Sequence, residues 1–378
     1  MGARRFVFRS SAVMALIAAS AVIQSPRDLG AGLSPNDPRY PEQWNLARVN
    51  ADDAWDVTQG STAVRVALLD TGVGYGAIPA DLVGNIGTGF NTFTGGSTTN
   101  DDYGTYGSGT ANASVIGARS NNGRDVAGTS WNITILPVKV CDWNGQCPHA
   151  NIAAGVNWAI SRDVDIIQIT PALATTTSGL TQAVAAAVNA GVLVVAPTAE
   201  PAIGVGYPGK LPGVIAVGAS TSTDALASFS GGGPEIDLVA PGQSVLVVAS
   251  GGCCITRSGS AIAASHVTGA LALLLAEGIA PSQAAQRLIE GTVDLGPGGW
   301  DASFGSGRLD ICRSLAAANG SCAIACDFDG NGWVDLADVL VVLQHYGETG
   351  TGLPWDLDGD GGVGLADAII TLNCAFSA

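Results

Sequence analysis

Histidine is nearly missing from this chain: there are three in 378 residues, His149, His266 and His345. A proton shuttle working near neutral pH therefore has few places to sit. Glutamate is absent between Glu42 and Glu200, which removes the alternative acid as a base over the same stretch. Lysine and arginine total 16 against 32 acidic residues, a formal net charge of −16. With so little to neutralise phosphates, a nucleic-acid partner is excluded. No apolar run is long enough to span a bilayer, so no membrane association is expected once the N-terminus is removed. The eight cysteines contain no C-x-x-C pair, so nothing in their spacing supports a thiolate metal site.

What is present is glycine, 52 residues of it, and 47% apolar content. That suits a loop-rich α/β protein with one large domain and a small one. Residues 1–25 carry the features of an export signal: Arg4, Arg5 and Arg9, the apolar run Ala12 to Ala21, and the small pair Ala19 and Ala21. The expected location is secreted or cell-surface. Cysteine usage fits the same oxidising compartment. Cys141 and Cys147 bracket a short loop and can pair locally. Cys253 and Cys254 are adjacent, where a bond is strained, and Cys312, Cys322, Cys326 and Cys374 lie around the C-terminal end. Connectivity stays open.

Along the chain, strands and helices alternate. VRVALLDTGVG, Val64 to Gly74, reads as a buried parallel strand ending in a tight turn after Asp70. Taken alone, an Asp before Thr-Gly is more often a turn residue. The helix NIAAGVNWAIS leads into VDIIQIT, and LTQAVAAAVNAG into VLVVAPTAE. The alternation implies a mostly parallel sheet covered by helices on both faces. The stretch SGSAIAASHVTG, Ser258 to Gly269, is a small-residue turn running into the apolar helix ALALLLAEG. Such a junction presents one short side chain at a helix N-terminus, where free N–H groups favour developing negative charge.

That last stretch resembles the nucleophile segment of subtilisin-like serine peptidases (subtilases), G-T-S-M-A-x-P-H-V-x-G. Gly259, Ser260, Ala263, His266, Val267 and Gly269 fall on the pattern, and the nucleophile position holds Ala261. The D-T-G then resembles the triad carboxylate, Asp70. GSGTANASVIGA, Gly107 to Ala118, resembles the family's G-H-G-T-H-V-A-G with Ser108 in place of the base. In VLVVAPTAE the family's A-A-G-N puts Ala199 where its oxyanion donor stands. Thr170, Pro171, Ala172 and Leu173 replace S-x-G-G, where substrate backbone pairs. No long pro-region stands before the domain. The resemblance covers residues 35–318 and implies a subtilisin-like fold carrying a pseudopeptidase, a binding or structural module for a peptide or protein ligand. An active serine endopeptidase using other residues is the competing reading, and capture of a pro-segment or inhibitor a third.

Residues 322–378 hold a repeat, CDFDGNGWVDLADVLVVL and WDLDGDGGVGLADAIITL. Acidic residues at loop positions one, three and five before a Gly at six suit Ca2+. The duplication, with Asp338 and Asp367 at position twelve where an EF-hand uses Glu, resembles a dockerin, a small all-α module. The expected ligands are Asp327, Asp329, Asn331, the Trp333 carbonyl, Asp335 and Asp338 in the first loop. In the second they are Asp356, Asp358, Asp360, the Gly362 carbonyl and Asp367. The resemblance implies a cohesin-like protein partner.

Overall fold

The computed structural model describes residues 33–104, 107–199, 201–319, 328, 336–350, 353, 355–357 and 361–377. The export signal lies outside them. The chain divides into two compact units, Gly32–Ile324 and one containing Ala325–Ala378.

In the larger unit, apolar strands assemble into a seven-stranded sheet in which every pairing is parallel, ordered β2-β3-β1-β4-β5-β6-β7. The strands are β1 (Gly60–Asp70), β2 (Phe90–Asn91), β3 (Asn132–Lys139), β4 (Ile166–Ile169), β5 (Leu193–Pro197), β6 (Val214–Ser220) and β7 (Leu238–Pro241). Strands β4, β5 and β6 are buried at every residue, as a sheet with two covered faces demands. Successive side chains go to opposite faces. Val66 and Leu68 of β1 join Ile135, Ile166, Val195 and Val217 in one core, whereas Ala67 and Leu69 join Val138, Ile167 and Val194 in the other.

The second face is covered by α4 (His149–Ile160) and α5 (Ser178–Asn189). Thr177 caps α5 by accepting from Leu180 N at 3.3 Å. On the first face lies α6 (Ser260–Ala276), buried without a break from Ile262 to Leu274. A helix apolar all round belongs in a core. It crosses α3 (Gly109–Gly117) closely: a Cβ at Gly269 would stand 3.0 Å from the Ile116 carbonyl oxygen. The short helices α1 (Trp44–Arg48) and α2 (Ala51–Val57), with α7 (Pro281–Glu290) and α8 (Ile311–Asn319), close the unit, and β8 (Val245–Ala249) and β9 (Gly252–Arg257) form an antiparallel hairpin. Cys141 pairs with Cys147 and Cys253 with Cys254. Among the described residues no helix is long and apolar enough to cross a membrane.

The smaller unit contains α9 (Leu336–Gln344) and α10 (Leu365–Ser377), each following one copy of the acidic repeat. Val342, Val363 and Ala368 form its core, with Phe328, Val339, Leu353 and Trp355 packed on them.

Candidate functional site

Strand β1 delivers Asp70 to the C-terminal edge of the sheet, where the crevice of an open parallel sheet lies. The turn beyond it approaches the start of α3 so closely that a Cβ on Gly109 would collide with the Gly72 carbonyl. This puts Ser108, the residue before α3, beside Asp70. Asp70 is 2% exposed. Its Oδ1 accepts from Thr71 N at 2.7 Å, and its Oδ2 accepts from Asn112 Nδ2 at 2.7 Å. Burial raises the Asp70 pKa. Hydrogen bonds from Asn112 and Thr71, and the hydroxyls of Thr170 and Ser108, pull it back down.

Asn112 lies one helical turn after Ser108 and so shares its face. Its Nδ2 reaches Ser108 Oγ only at 3.5 Å, so the shorter bond to Asp70 governs its position. On its other side, Asn112 Oδ1 lies 3.2 Å from Ser265 Oγ, which also faces the Ala261 carbonyl at 3.0 Å and accepts from Gln168 Nε2 at 2.9 Å. A continuous polar chain therefore ties β1, α3, α6 and β4 under the crevice.

Ala261 is the second residue of α6 and is half-buried; its methyl offers no chemistry. Ser260, one residue earlier, is buried, and its Oγ lies 3.1 Å from Thr198 Oγ1, which in turn lies 3.3 Å from Ser230 Oγ. Ala199 follows β5, its N–H donating to Gly204 O at 2.9 Å and its carbonyl accepting from Gly231 N at 2.8 Å. Its methyl faces Gly206, so the side chain that reaches α6 from this segment is Thr198. Leu173 N and O both pair with Tyr207, each at 2.7 Å.

Neighbouring Asp101 is buried too, and burial raises its pKa against hydrogen bonds from Thr110 and Thr71. Thr71 Oγ1 donates to Asp101 Oδ1 at 2.7 Å, a shorter contact than its 3.2 Å to Asp70. The histidines are engaged elsewhere. His149 Nε2 meets Thr175 O at 3.0 Å, and His345 stacks on Trp355 at 4.3 Å. His266 donates from Nδ1 to Ile262 O and accepts from Asn45 at Nε2, and burial depresses its pKa to about 4.

Sequence reasoning singled out Asp70, Ser108, Ala199 and Ala261. It missed Asn112, Ser265, Gln168, Thr198 and Asp101. An Asn among the small residues of GTANASVIG, four after Ser108, was the one signal available for this network.

In the smaller unit, Asp327, Asp329, Asn331, Trp333, Asp335, Asp358 and Asp360 lie outside the described residues. The two copies match where both are described: Asp338 Oδ1 accepts from Phe328 N at 2.7 Å, and Asp367 Oδ1 from Leu357 N at 2.6 Å. Both carboxylates are buried. Asp356 Oδ2 accepts from Gly361 N at 2.9 Å, whereas its Oδ1 is a buried atom with no hydrogen-bond partner among the described residues. An orphaned carboxylate oxygen at loop position one, in an all-oxygen donor set, fits a hard cation such as Ca2+.

A family profile described as "Subtilase family" matches residues 61–307. Thermitase from Thermoactinomyces vulgaris is 32% identical over 284 residues, 75% of this chain and 99% of its own. The "Minor extracellular protease Epr" of Bacillus subtilis (strain 168) is 31% identical over 272 residues, 71% of this chain and 41% of its own. The chain spans about three fifths of the length of other curated relatives. Among solved structures, one of proteases from Pseudoalteromonas arctica PAMC 21717 superposes with a TM-score of 0.67 at 27% identity, covering 75% of this chain and 99% of that one.

Proposed function

This chain belongs to the subtilase family, and from that premise we propose that it is an exported pseudopeptidase whose large unit binds a peptide or protein rather than cutting it. The observation that carries the reading is the hydrogen bonding of Asp70. Asn112 occupies the carboxylate oxygen toward α3, Thr71 the other, and the base position beside them is a serine. Ser108 cannot take a proton at neutral pH, and the Ala261 methyl cannot attack a carbonyl.

Magnitudes support the same reading. In subtilisin, removing the triad costs about 10⁶-fold and leaves about 10³–10⁴ over water. Losing an oxyanion donor removes roughly another 10²–10³. The remainder is on the order of tenfold over uncatalysed hydrolysis. Pairing of Leu173 with Tyr207 also occupies backbone that a substrate strand would need. Incubation with a fluorophosphonate probe and a broad peptide library is expected to give neither labelling nor cleavage. Stoichiometric labelling abolished by one serine substitution would restore the serine endopeptidase reading.

The smaller unit, on this proposal, is a dockerin-like tether that binds two Ca2+ ions and docks a cohesin-like protein. Support comes from the matched Asp338 and Asp367 contacts, the orphaned Asp356 oxygen and an exposed apolar stripe. Leu336, Leu340 and Leu343 recur at helical spacing along α9 and are 63%, 58% and 40% exposed, with Tyr346 just beyond at 62%. Export is supported by the N-terminal sequence, the disulfides and the extracellular location in a relative's name. A pull-down with a cohesin module in Ca2+ and in chelator tests the tether. Equal recovery in both sinks it.

A further inference from the structure

We propose that the β8–β9 hairpin and the segment between α3 and β3 hold a latent site for a thiophilic divalent ion, Zn2+ or Cd2+, opened by reducing the Cys253–Cys254 disulfide. Among the described residues, Asp125, Cys253 and Cys254 bring one carboxylate oxygen and two sulfurs within 4.8 Å of one another. In the oxidised form the two sulfurs are bonded to each other, so reduction must first part them; the Asp125 carboxylate is then near enough for the three donors to share one tetrahedral ion and leave one position for water. Two soft sulfurs with one oxygen select a borderline or soft ion over Ca2+ or Mg2+.

The donors come from two anchored segments. Asp125 is fixed through its carbonyl, which accepts from Arg39 N at 3.0 Å, and through Val126 N on Asp81 Oδ2 at 3.0 Å. None of the ion pairs among the described residues uses the Asp125 carboxylate. Cys254 is half-buried against the core of the first sheet face, while Cys253 is exposed. In the oxidised protein the two sulfurs bond to each other and offer no thiolate.

The opening step balances with an external dithiol as reductant. Its thiolate attacks an exposed Cys sulfur, the Cys253–Cys254 bond breaks, and the dithiol leaves as its own cyclic disulfide. Two electrons and two protons pass to the protein sulfurs. The ion then binds two thiolates and Asp125, releasing the two thiol protons to solvent. The pair Cys141–Cys147 is less open to attack, Cys141 being buried and Cys147 half-buried, against an exposed Cys253.

The test uses the full chain, reduced with dithiothreitol, desalted without oxygen and titrated with Cd2+ while the ultraviolet thiolate-to-metal charge-transfer band is followed. The expected result is one Cd2+ per chain at this pair, no band after reoxidation of the same sample, and loss of that band in Cys253→Ser/Cys254→Ser. Asp125→Asn is expected to weaken binding by roughly tenfold or more. A band that survives in the double serine variant, or an unchanged affinity in Asp125→Asn, overturns the site. Reoxidation removes the thiols without mutation, so a variant that misfolds leaves the comparison standing. The outcome is independent of whether the large unit is a pseudopeptidase.

Discussion

Asp70, buried, and Asp356, half-buried with its Oδ1 withdrawn from solvent, stand in contrast. At Asp70 each oxygen meets a protein N–H, from Thr71 and Asn112, both at 2.7 Å. At Asp356 one oxygen meets Gly361 N at 2.9 Å and the other has no hydrogen-bond partner among the described residues. Removing a carboxylate from water costs several kcal/mol unless donors or a cation offset it. At the first site both oxygens are met from within the fold. At the second, one oxygen is left open among the described residues. Whether an enclosed acid has been closed by its own chain or left open for a partner is thus readable from which lone pairs remain.

Removing the cation should break that contrast most visibly. In calorimetry of the whole chain, chelation is expected to abolish the transition of the smaller unit and leave that of the larger one in place. Asp356→Asn should weaken Ca2+ binding in titration by about tenfold or more. A thermogram indifferent to chelator would mean that the Asp356 oxygen has no cation to wait for.

The pH profile probes a buried group closed in its neutral form. His266 has a folded pKa of about 4 against about 6.5 unfolded. The unfolded chain therefore binds the extra proton first. Its contribution is fully present above about pH 6.5 and is lost as pH falls toward 4, by up to about 3 kcal/mol. Buried Asp70 and Asp310, with raised pKa values, slope the other way, stability falling as pH rises above their unfolded pKa. The expected signature is the difference between wild type and His266→Gln in denaturant melts at about pH 7 and about pH 4.5. Parallel profiles would refute it.

Next comes an attempt to reopen Asp70. Ser108→His with Ala261→Ser is expected to give at most weak hydrolysis, because Asn112 still holds the oxygen a histidine would need. Adding Asn112→Val should raise the rate about 10²-fold over the double variant, the range of a positioned general base. No gain from the third change would mean that Asn112 is not what closes the site. Asn112→Ala alone should cost about 1–3 kcal/mol of stability by leaving Asp70 short of a donor. The smallest effect is expected at the exposed stripe: Leu340→Asp should shift stability by less than about 0.5 kcal/mol while abolishing cohesin capture. Undiminished capture would move the docking face elsewhere.

Much of this was legible in the sequence. Asp70 follows from an apolar run ending in D-T-G, and the parallel sheet from strands apolar without alternation. The places of Ser108 and Ala261 follow from the glycines around them. The chain from Asn112 through Ser265 to Gln168 was not legible, because its members come from α3, α6 and β4 and meet only once α6 is packed. Thr198 illustrates the same limit. The sequence drew attention to Ala199, but alternation just past the end of β5 turns Ala199 toward Gly206 and its neighbour toward Ser260. The acidic loops were legible as a repeat because their spacing is local. Only the fold could tell that Asp356 keeps an oxygen without a partner among the described residues.

The position of α6 has a consequence for how the protein is made. Its residues complete the core beneath β1, β4, β5, β6 and β7, yet they come after all of them, at Ser260–Ala276. Until synthesis or export has delivered that segment, Val66, Leu68, Ile166, Val195 and Val217 lack their cover on that face of the sheet. Contacts between residues so far apart in the chain form slowly, and the incomplete sheet presents apolar surface and unpaired edges in the interval. The vulnerable form of this molecule is therefore the nascent chain that has not yet reached Ser260, and a truncation there leaves the part of that face that α6 covers open to aggregation.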